Sequence, residues 1–503
     1  MKRIVFLIIG ALLVLGLVLP GCTPAEENII KIAVCGPMTN IQGENHLAGA
    51  EMAADEINAD GGVTINSTKY TIELVTVDTN EIIDTSGATG VIALTAVIGD
   101  VDFCVGGFQT EAVYVYREVA MEAKKIFMDC GAATDDLQFS VVTNYQRYKY
   151  WFKATPYNST FLATSLLKMT TMIGAILKAT MIGTGSPPVG AAYAVGPDDK
   201  LRVAIITEDR AWTEAMRDAA QYYLPLLGFD VVGTWLTRAA TIAADMANIA
   251  ALCPHIILTA FSGPVGITFS TLRDVLGIPA VPIGINVEVQ SKGAWVSTGG
   301  GCNYDILLDT WAENMSITSK TVDWFNDFVA KVGDYPLYTA ATYDAIYALK
   351  AAIEATDSLD SDTLVAYLET HSYTGVGATA AYYPWPAINL GGDNWALNET
   401  QVREYYDLDN YGWAYNQSEW LCGPSSMPHI AHDLLYGVGY ATGIGSQWQD
   451  GHKVGIWPVQ LAPLDTPIAT LIAVGLIDQY GNWNFAYPGT APIAIPIEGF
   501  LES

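Results

Sequence analysis

The chain has 503 residues, more than one ordinary domain holds, and is 51% hydrophobic with 15% charged residues, so two lobes with large cores are expected. It carries 24 Lys and Arg against 53 Asp and Glu, a net charge of −29 at pH 7. Acidity of this size, spread along the chain, repels phosphate backbones and excludes nucleic acid as an expected partner; it reads as a solubility device.

Lys2 and Arg3 precede an uncharged, mostly apolar run from Ile4 to Leu19, closed by Leu19-Pro20-Gly21-Cys22. A basic start, an apolar centre and a small residue before the cut read as an export signal. Cys22 resembles the lipidated cysteine of the bacterial and archaeal lipobox, which makes residues 1–22 a lipoprotein signal peptide and 23–28 a tether. Retention of the run as a single transmembrane anchor is the alternative. Both readings hold the remaining chain at the outer membrane face.

From Ile29 apolar β-like runs alternate with helical ones. Ile30-Lys31-Ile32-Ala33-Val34 reads as a buried strand, ended by Cys35-Gly36-Pro37. Leu47, Ala50, Ala54 and Ile57 then fall on one face at helical spacing. A strand from Tyr70 to Asp78, a helix from about Gly87 to Ile98, a strand at Phe103-Cys104-Val105, a helix from about Thr110 to Ala123 and a strand at Ile126-Phe127-Met128 follow. This βαβα order predicts a parallel sheet with helices on both faces. Phe161 to Gly183, with Lys168 and Lys178 inside it, reads as a buried helix. A second such unit begins near Leu201, with strands at Val203–Ile206, Phe229–Val232, Ile256–Thr259 and Val281–Gly284 and helices on Ala215–Leu227 and Ile267–Leu276. A helical run returns from Thr342 to Ala355. Beyond about Tyr382 the chain is aromatic, Pro/Gly-rich and loop-like almost to its end.

Cys35, Cys104 and Cys130 lie in or beside strand-like runs and read as small buried hydrophobes. Cys302 and Cys422 sit in Gly-rich sequence, where a disulfide between them fits an exported protein. No C-x-x-C, H-E-x-x-H, G-x-S-x-G or P-loop pattern occurs, so no metal site, cofactor or catalytic residue is predicted. His429-Ile430-Ala431-His432-Asp433 is half a metal site at most and reads as structural. Sequons at Asn66, Asn158, Asn314, Asn398 and Asn416 matter only where the host glycosylates exported proteins.

Three segments near the start carry a family resemblance: Ile32-Ala33-Val34-Cys35-Gly36-Pro37-Met38-Thr39, Gly49-Ala50-Glu51-Met52-Ala53 and Glu56-Ile57-Asn58-Ala59-Asp60-Gly61-Gly62-Val63. Together they resemble the opening of the branched-chain amino-acid, or type I periplasmic, binding proteins, the receptors of ABC importers. Val105-Gly106-Gly107-Phe108 and Cys130-Gly131-Ala132-Ala133-Thr134 resemble that family's two ligand loops, Val203 to Trp212 its second-lobe strand and loop, and Thr342-Tyr343-Asp344-Ala345-Ile346 another common element. Gln447-Trp448-Gln449-Asp450-Gly451 and Trp457-Pro458 resemble the tail of a larger, lipid-anchored subgroup. The resemblance implies an α/β fold of two doubly wound lobes joined by a three-segment hinge. Residues 29–154 and 309–385 would form the first lobe, and 155–308 and 386–503 the second with its C-terminal extension. It implies a monomeric, cofactor-free, lipid-anchored receptor that carries an amino acid or related polar solute to an ABC permease.

A carboxylate is best held by hydroxyls and backbone N–H groups where strands end and helices begin. By the resemblance, Phe108 and Thr110 in the first loop and Ala132, Ala133 and Thr134 in the second take this role. Thr110 and Thr134 read otherwise as helix caps. Gln42 falls where the family closes over its ligand, and Trp212 where an aromatic residue covers it or stacks on its ammonium; an ordinary hydrophobic contact is the alternative for Trp212. Ser262 and Gly263 end a strand on the same side. Asn286 or Glu288 takes the place of the acidic partner for the ammonium; with Asn286 there, an amide or urea-like ligand gains weight. A ligand-sensing ectodomain and a structural surface protein are the rival readings of the same chain.

Overall fold

The alternating runs resolve into two sheets in the computed structural model, which describes residues 28–183, 192–382, 431–434, 441, 443–458 and 493. The leader, Cys22, His429 and Cys422 lie outside the described residues. The first sheet contains β1 (Ile29–Gly36), β2 (Val63–Ile65), β3 (Thr68–Asp78), β4 (Phe103–Gly106), β5 (Phe127–Asp129) and β6 (Trp151–Lys153), in the order β2-β3-β1-β4-β5-β6. Its pairs are parallel except β2–β3, with Val34 opposite Val105 and Val105 opposite Met128. Between the strands lie α1 (Ile41–Ala59), α2 (Ala88–Val97), α3 (Thr110–Glu122), α4 (Asp135–Thr143) and the short α5 (Tyr145–Tyr148). Helices cover the sheet, so every residue of β4 and β5 is buried, Cys35, Cys104 and Cys130 among the core atoms nearby. Strands shielded in this way show no alternation in sequence.

Past Lys153 the chain enters the second lobe through α6 (Ser159–Gly183), followed by β7 (Arg202–Glu208), α7 (Ala211–Leu226), β8 (Asp230–Thr237), α8 (Ile242–Ala251), β9 (Ile256–Phe261), α9 (Val265–Val275), β10 (Val281–Asn286), α10 (Gly293–Ser297) and β11 (Ile306–Asp309). The stretch Ser159–Ile182 is long and apolar enough to cross a membrane, but 72% of its apolar window is buried inside the protein, where it packs on α7 and β10. The chain then returns to the first lobe with α11 (Thr321–Val332), α12 (Thr342–Thr356) and α13 (Ser361–Leu368), and α12 lies against α1, β2 and β4. A two-stranded ribbon follows, β12 (Tyr373–Thr374) with β13 (Thr379–Ala380).

The C-terminal tail is not all loop. β14 (Ile444–Gln449) and β15 (His452–Pro458) form an antiparallel hairpin that pairs with β11, giving the second sheet the order β15-β14-β11-β10-β9-β7-β8. Buried Trp448 locks it through Nε1, which donates to the Val289 carbonyl at 2.8 Å. Lys453 forms a buried pair with Asp309 at 2.8 Å. A second piece of tail reaches the first sheet: Lys153 N donates to the His432 carbonyl at 3.0 Å, and Asn158 Nδ2 to Asp433 at 2.7 Å. Buried Asn158 is thus a structural amide and no glycan acceptor in the fold. His432 is spent on the Trp151 carbonyl (3.0 Å) and Glu369 (2.7 Å) and stacks on Phe152, which agrees with a structural role. Cys302 is buried, and Cys422, the partner expected for it, lies outside the described residues.

Candidate functional site

In the first sheet the strand order reverses between β1 and β4, and in the second between β7 and β9. Loops leaving such neighbours diverge and open a crevice at the carboxyl ends of the strands, the usual ligand position in open α/β sheets. Here the two crevices meet. Gln42, after β1, donates through Nε2 to the Ser262 carbonyl (3.0 Å) and to Glu288 Oε1 (2.8 Å). Gln109, after β4, donates to Ser262 Oγ at 3.4 Å, and Trp212 Nε1, after β7, reaches the same oxygen at 3.3 Å. Nearer the outside, Ala211 N at the start of α7 donates to Glu111 Oε1 on α3 at 2.9 Å. Three residues that lie up to 220 positions from it in sequence therefore converge on Ser262.

Each loop is held from behind by an acid. Glu81 Oε2 accepts the N–H groups of Phe108 (3.3 Å) and Gln109 (2.8 Å), while its other oxygen accepts the Thr79 hydroxyl at 2.7 Å. Asp129 Oδ1 accepts Gly131 N (3.2 Å) and Ala132 N (3.0 Å), and its Oδ2 pairs with fully buried Lys153 at 2.6 Å. In the second lobe Glu208 Oε2 accepts Ser262 N (2.7 Å), Ser262 Oγ (2.8 Å) and Gly263 N (3.2 Å). The two first-lobe loops touch through glycine: Gly107 holds φ at +92°, and a Cβ on Gly131 would strike the Gly107 carbonyl.

A cavity with about 1170 Å³ of empty space, part of it open to solvent, runs from these loops toward the crossings between lobes. Phe108, Ala133, Trp212 and Ser262 line it. Thr110 begins α3 with its hydroxyl buried and unpartnered, and Thr134 stands at the N-cap of α4 without making a capping bond, so neither hydroxyl is spent on its helix. Ala132 is turned to structure, its N–H on Asp129 and its carbonyl receiving Lys153. Gly263 serves Glu208. Asn286 does not reach the cleft bonds: its Nδ2 donates to the Gly266 carbonyl at 3.1 Å, while Glu288 meets Gln42. The backbone N–H groups of Phe108, Ala132 and Gly263 are thus already taken by the protein's own carboxylates.

Gln109, Glu81, Glu208 and Tyr338 are site residues that sequence reasoning missed. Gln109 sits next to Thr110 and was within reach of the loop pattern. Tyr338 was not: it comes from a short 3-10 turn before α12, lines the cavity and donates to the Gly131 carbonyl at 3.1 Å. Among the described residues no cluster of His, Cys, Asp and Glu has the makings of a metal site.

Burial pushes the Glu81 carboxyl up to about 7 and that of Asp433 to about 7, while burial lowers His46 and His255 to about 4. An acid whose folded pKa is raised keeps in the native state a proton that the unfolded chain has lost, so stability falls as pH rises through that window. The histidines act in the opposite sense, but their window closes near their unfolded value of about 6.5. Because the histidines offset part of the acids' loss up to and just beyond that value, the unfolding free energy is expected to fall by about 0.5–1 kcal/mol between pH 6 and pH 7. Urea melts at constant ionic strength check this; a midpoint that rises over the same interval contradicts the burial of neutral Glu81 and Asp433.

Two α/β lobes closed over a cavity at their facing switch points define a bilobed small-molecule receptor. The pattern of the periplasmic binding protein family matches residues 30–385, and the chain belongs to that family. Solved structures share the fold. A leucine binding protein, LivK, from Thermotoga maritima is 14% identical with a TM-score of 0.57, over 86% of this chain and 99% of that one. The branched-chain amino acid transporter substrate binding protein LivJ from Streptococcus pneumoniae, in complex with isoleucine, is 16% identical with a TM-score of 0.54, over 70% and 92%. A solute binding protein of an ABC transporter from R. palustris, in complex with 4-hydroxybenzoate, is 18% identical with a TM-score of 0.56, over 71% and 89%. No curated protein matches the chain.

Proposed function

We propose that the chain is the extracytoplasmic substrate-binding receptor of an ABC importer. It takes a small organic solute, an amino acid or a related amide, into the cleft between its lobes and presents it to a membrane permease. The observation that carries this reading is the convergence of Gln42, Gln109 and Trp212 on Ser262 across the cleft, beside a cavity and two unspent hydroxyls at Thr110 and Thr134. A ligand held by the first lobe gains the second lobe's contacts only on closure, and that differential affinity drives the lobes together. Of the two candidates for an ammonium partner, Glu288 is favoured, since Asn286 is occupied by Gly266. Lipidation at Cys22 would keep a monomeric receptor near its permease and raise its effective concentration there.

Thermal-shift screening of the mature chain against amino acids, amides, aromatic acids and short polyamines tests the reading, because a specific ligand raises the melting temperature by an amount that grows with the logarithm of its concentration over its dissociation constant. Thr134→Ala is expected to weaken the strongest stabiliser about tenfold, the scale of one hydrogen bond to a charged group, with little change in apo stability, since that hydroxyl caps nothing. Equal affinity for the variant removes Thr134 from the site.

A further inference from the structure

The leading backbone donors of the cleft loops are spent, while several buried acceptors beside them are not. In all three loops that face it the leading N–H groups are bonded to an internal carboxylate, Glu81, Asp129 or Glu208. Among the described residues no Lys, Arg or His lines the cavity, whereas Asp344 and Asp309, the latter paired with Lys453, do. The buried side-chain atoms left without a partner around the cleft include Gln42 Oε1, Gln109 Oε1 and Glu111 Oε2, all acceptors, and the Thr110 hydroxyl, which can accept or donate. Glu288 stands by the closure bond with no basic partner among the described ion pairs, and its carboxyl is raised by burial and by the charge of Glu208.

An unpaired buried acceptor costs about 1–3 kcal/mol, a cost that a ligand N–H removes and a ligand carboxylate oxygen does not. A carboxylate entering here finds no basic side chain on the described cavity wall, faces Glu288, which has no basic partner among the described ion pairs, and lacks the loop N–H groups that the protein's own acids have taken. Building on the receptor reading above, we infer that the solute is a nitrogen donor, an amine or an amide on an apolar body, and that a free carboxylate is disfavoured in the cleft. The apolar body fits the rest of the wall, where Phe108, Trp212, Ile285, Val287 and Tyr338 face the cavity.

Two matched sets of probes test this by titration calorimetry on the full mature chain. One has a branched aliphatic body: 4-methylpentanoate, 4-methylpentanamide, 3-methylbutylamine, L-leucine and L-leucinamide. The other has an aromatic body: benzoate, benzamide, benzylamine, L-phenylalanine and L-phenylalaninamide. In at least one set the amide and the amine are expected to bind and the carboxylate to give no heat, with the amino-acid amide at least about tenfold tighter than the free amino acid, as for one charge-assisted hydrogen bond. Glu288→Gln is expected to weaken the ammonium probes about tenfold more than the neutral amide, which loses only what the charged Gln42 closure bond contributes. Gln109→Met, which removes a facing acceptor, should weaken both. A free amino acid or carboxylate that binds more tightly than its amide overturns the inference and leaves the receptor standing. Silence from all ten probes at millimolar concentration overturns both.

Discussion

Lys153→Met is expected to destabilise the fold by about 3–5 kcal/mol, the usual loss when one partner of a buried ion pair is removed and the other stays charged. Lys153 and Asp129 are both fully buried and 2.6 Å apart. Burial raises the Asp129 carboxyl and the Lys153 charge opposes that rise. Without the ammonium, Asp129 must be either an unpaired buried anion or a neutral acid that holds the Gly131 and Ala132 N–H groups less well. Asp433, the second acid that Lys153 draws down, is freed in the same step. The loss is therefore expected to be larger at pH 8 than at pH 5.5, because both freed acids retain protons longer in the folded state. Urea midpoints at the two pH values measure it. Asp129→Asn added to Lys153→Met should recover a substantial part, since the anion is then gone. A single variant as stable as the parent, or a double variant worse than the single, rules out charge compensation as the reason for the pair.

That pair shows where sequence stopped being informative. The strand and helix run of the first lobe was legible because β4 and β5 are uninterrupted apolar runs and α3 begins where a Gly-Gly loop ends. Thr110 and Thr134 were legible for the same reason, each standing at a strand-to-helix turn. What such turns bond to was not. Glu81 reaches the loop at Gln109 from 28 residues away, and Tyr338 reaches Gly131 from 207 away, with no local pattern to announce either. The β14–β15 hairpin escaped notice for a different reason. Ile444 to Trp448 is buried throughout by its place between β11 and β15, so Gly445, Ser446 and Gln447 show none of the alternation of a half-exposed strand. A polar sequence there is compatible with burial because Ser446 Oγ donates to Asp309.

Gln42→Ala is expected to open the lobes and weaken ligand binding by about 10–100-fold while leaving the folded core intact. The carboxamide is fully buried and bridges the lobes twice, to the Ser262 carbonyl and to the Glu288 carboxylate. The bond to the charged group is worth about 1.5–3 kcal/mol and the neutral one about 1. Both exist only when the cleft is shut; in an open form water replaces them at each end. The substitution thus acts on the closed state alone, and because the binding-competent population falls, the apparent affinity falls with it. The Glu111 to Ala211 bond nearer the outside remains and limits the effect. Small-angle scattering of the apo chain should show a larger radius of gyration for the variant than for the parent, with a stabilising ligand restoring the compact form only at higher concentration. Unchanged scattering together with unchanged affinity would mean that closure does not depend on Gln42, and that the contacts converging on Ser262 are incidental to the way this protein holds its solute.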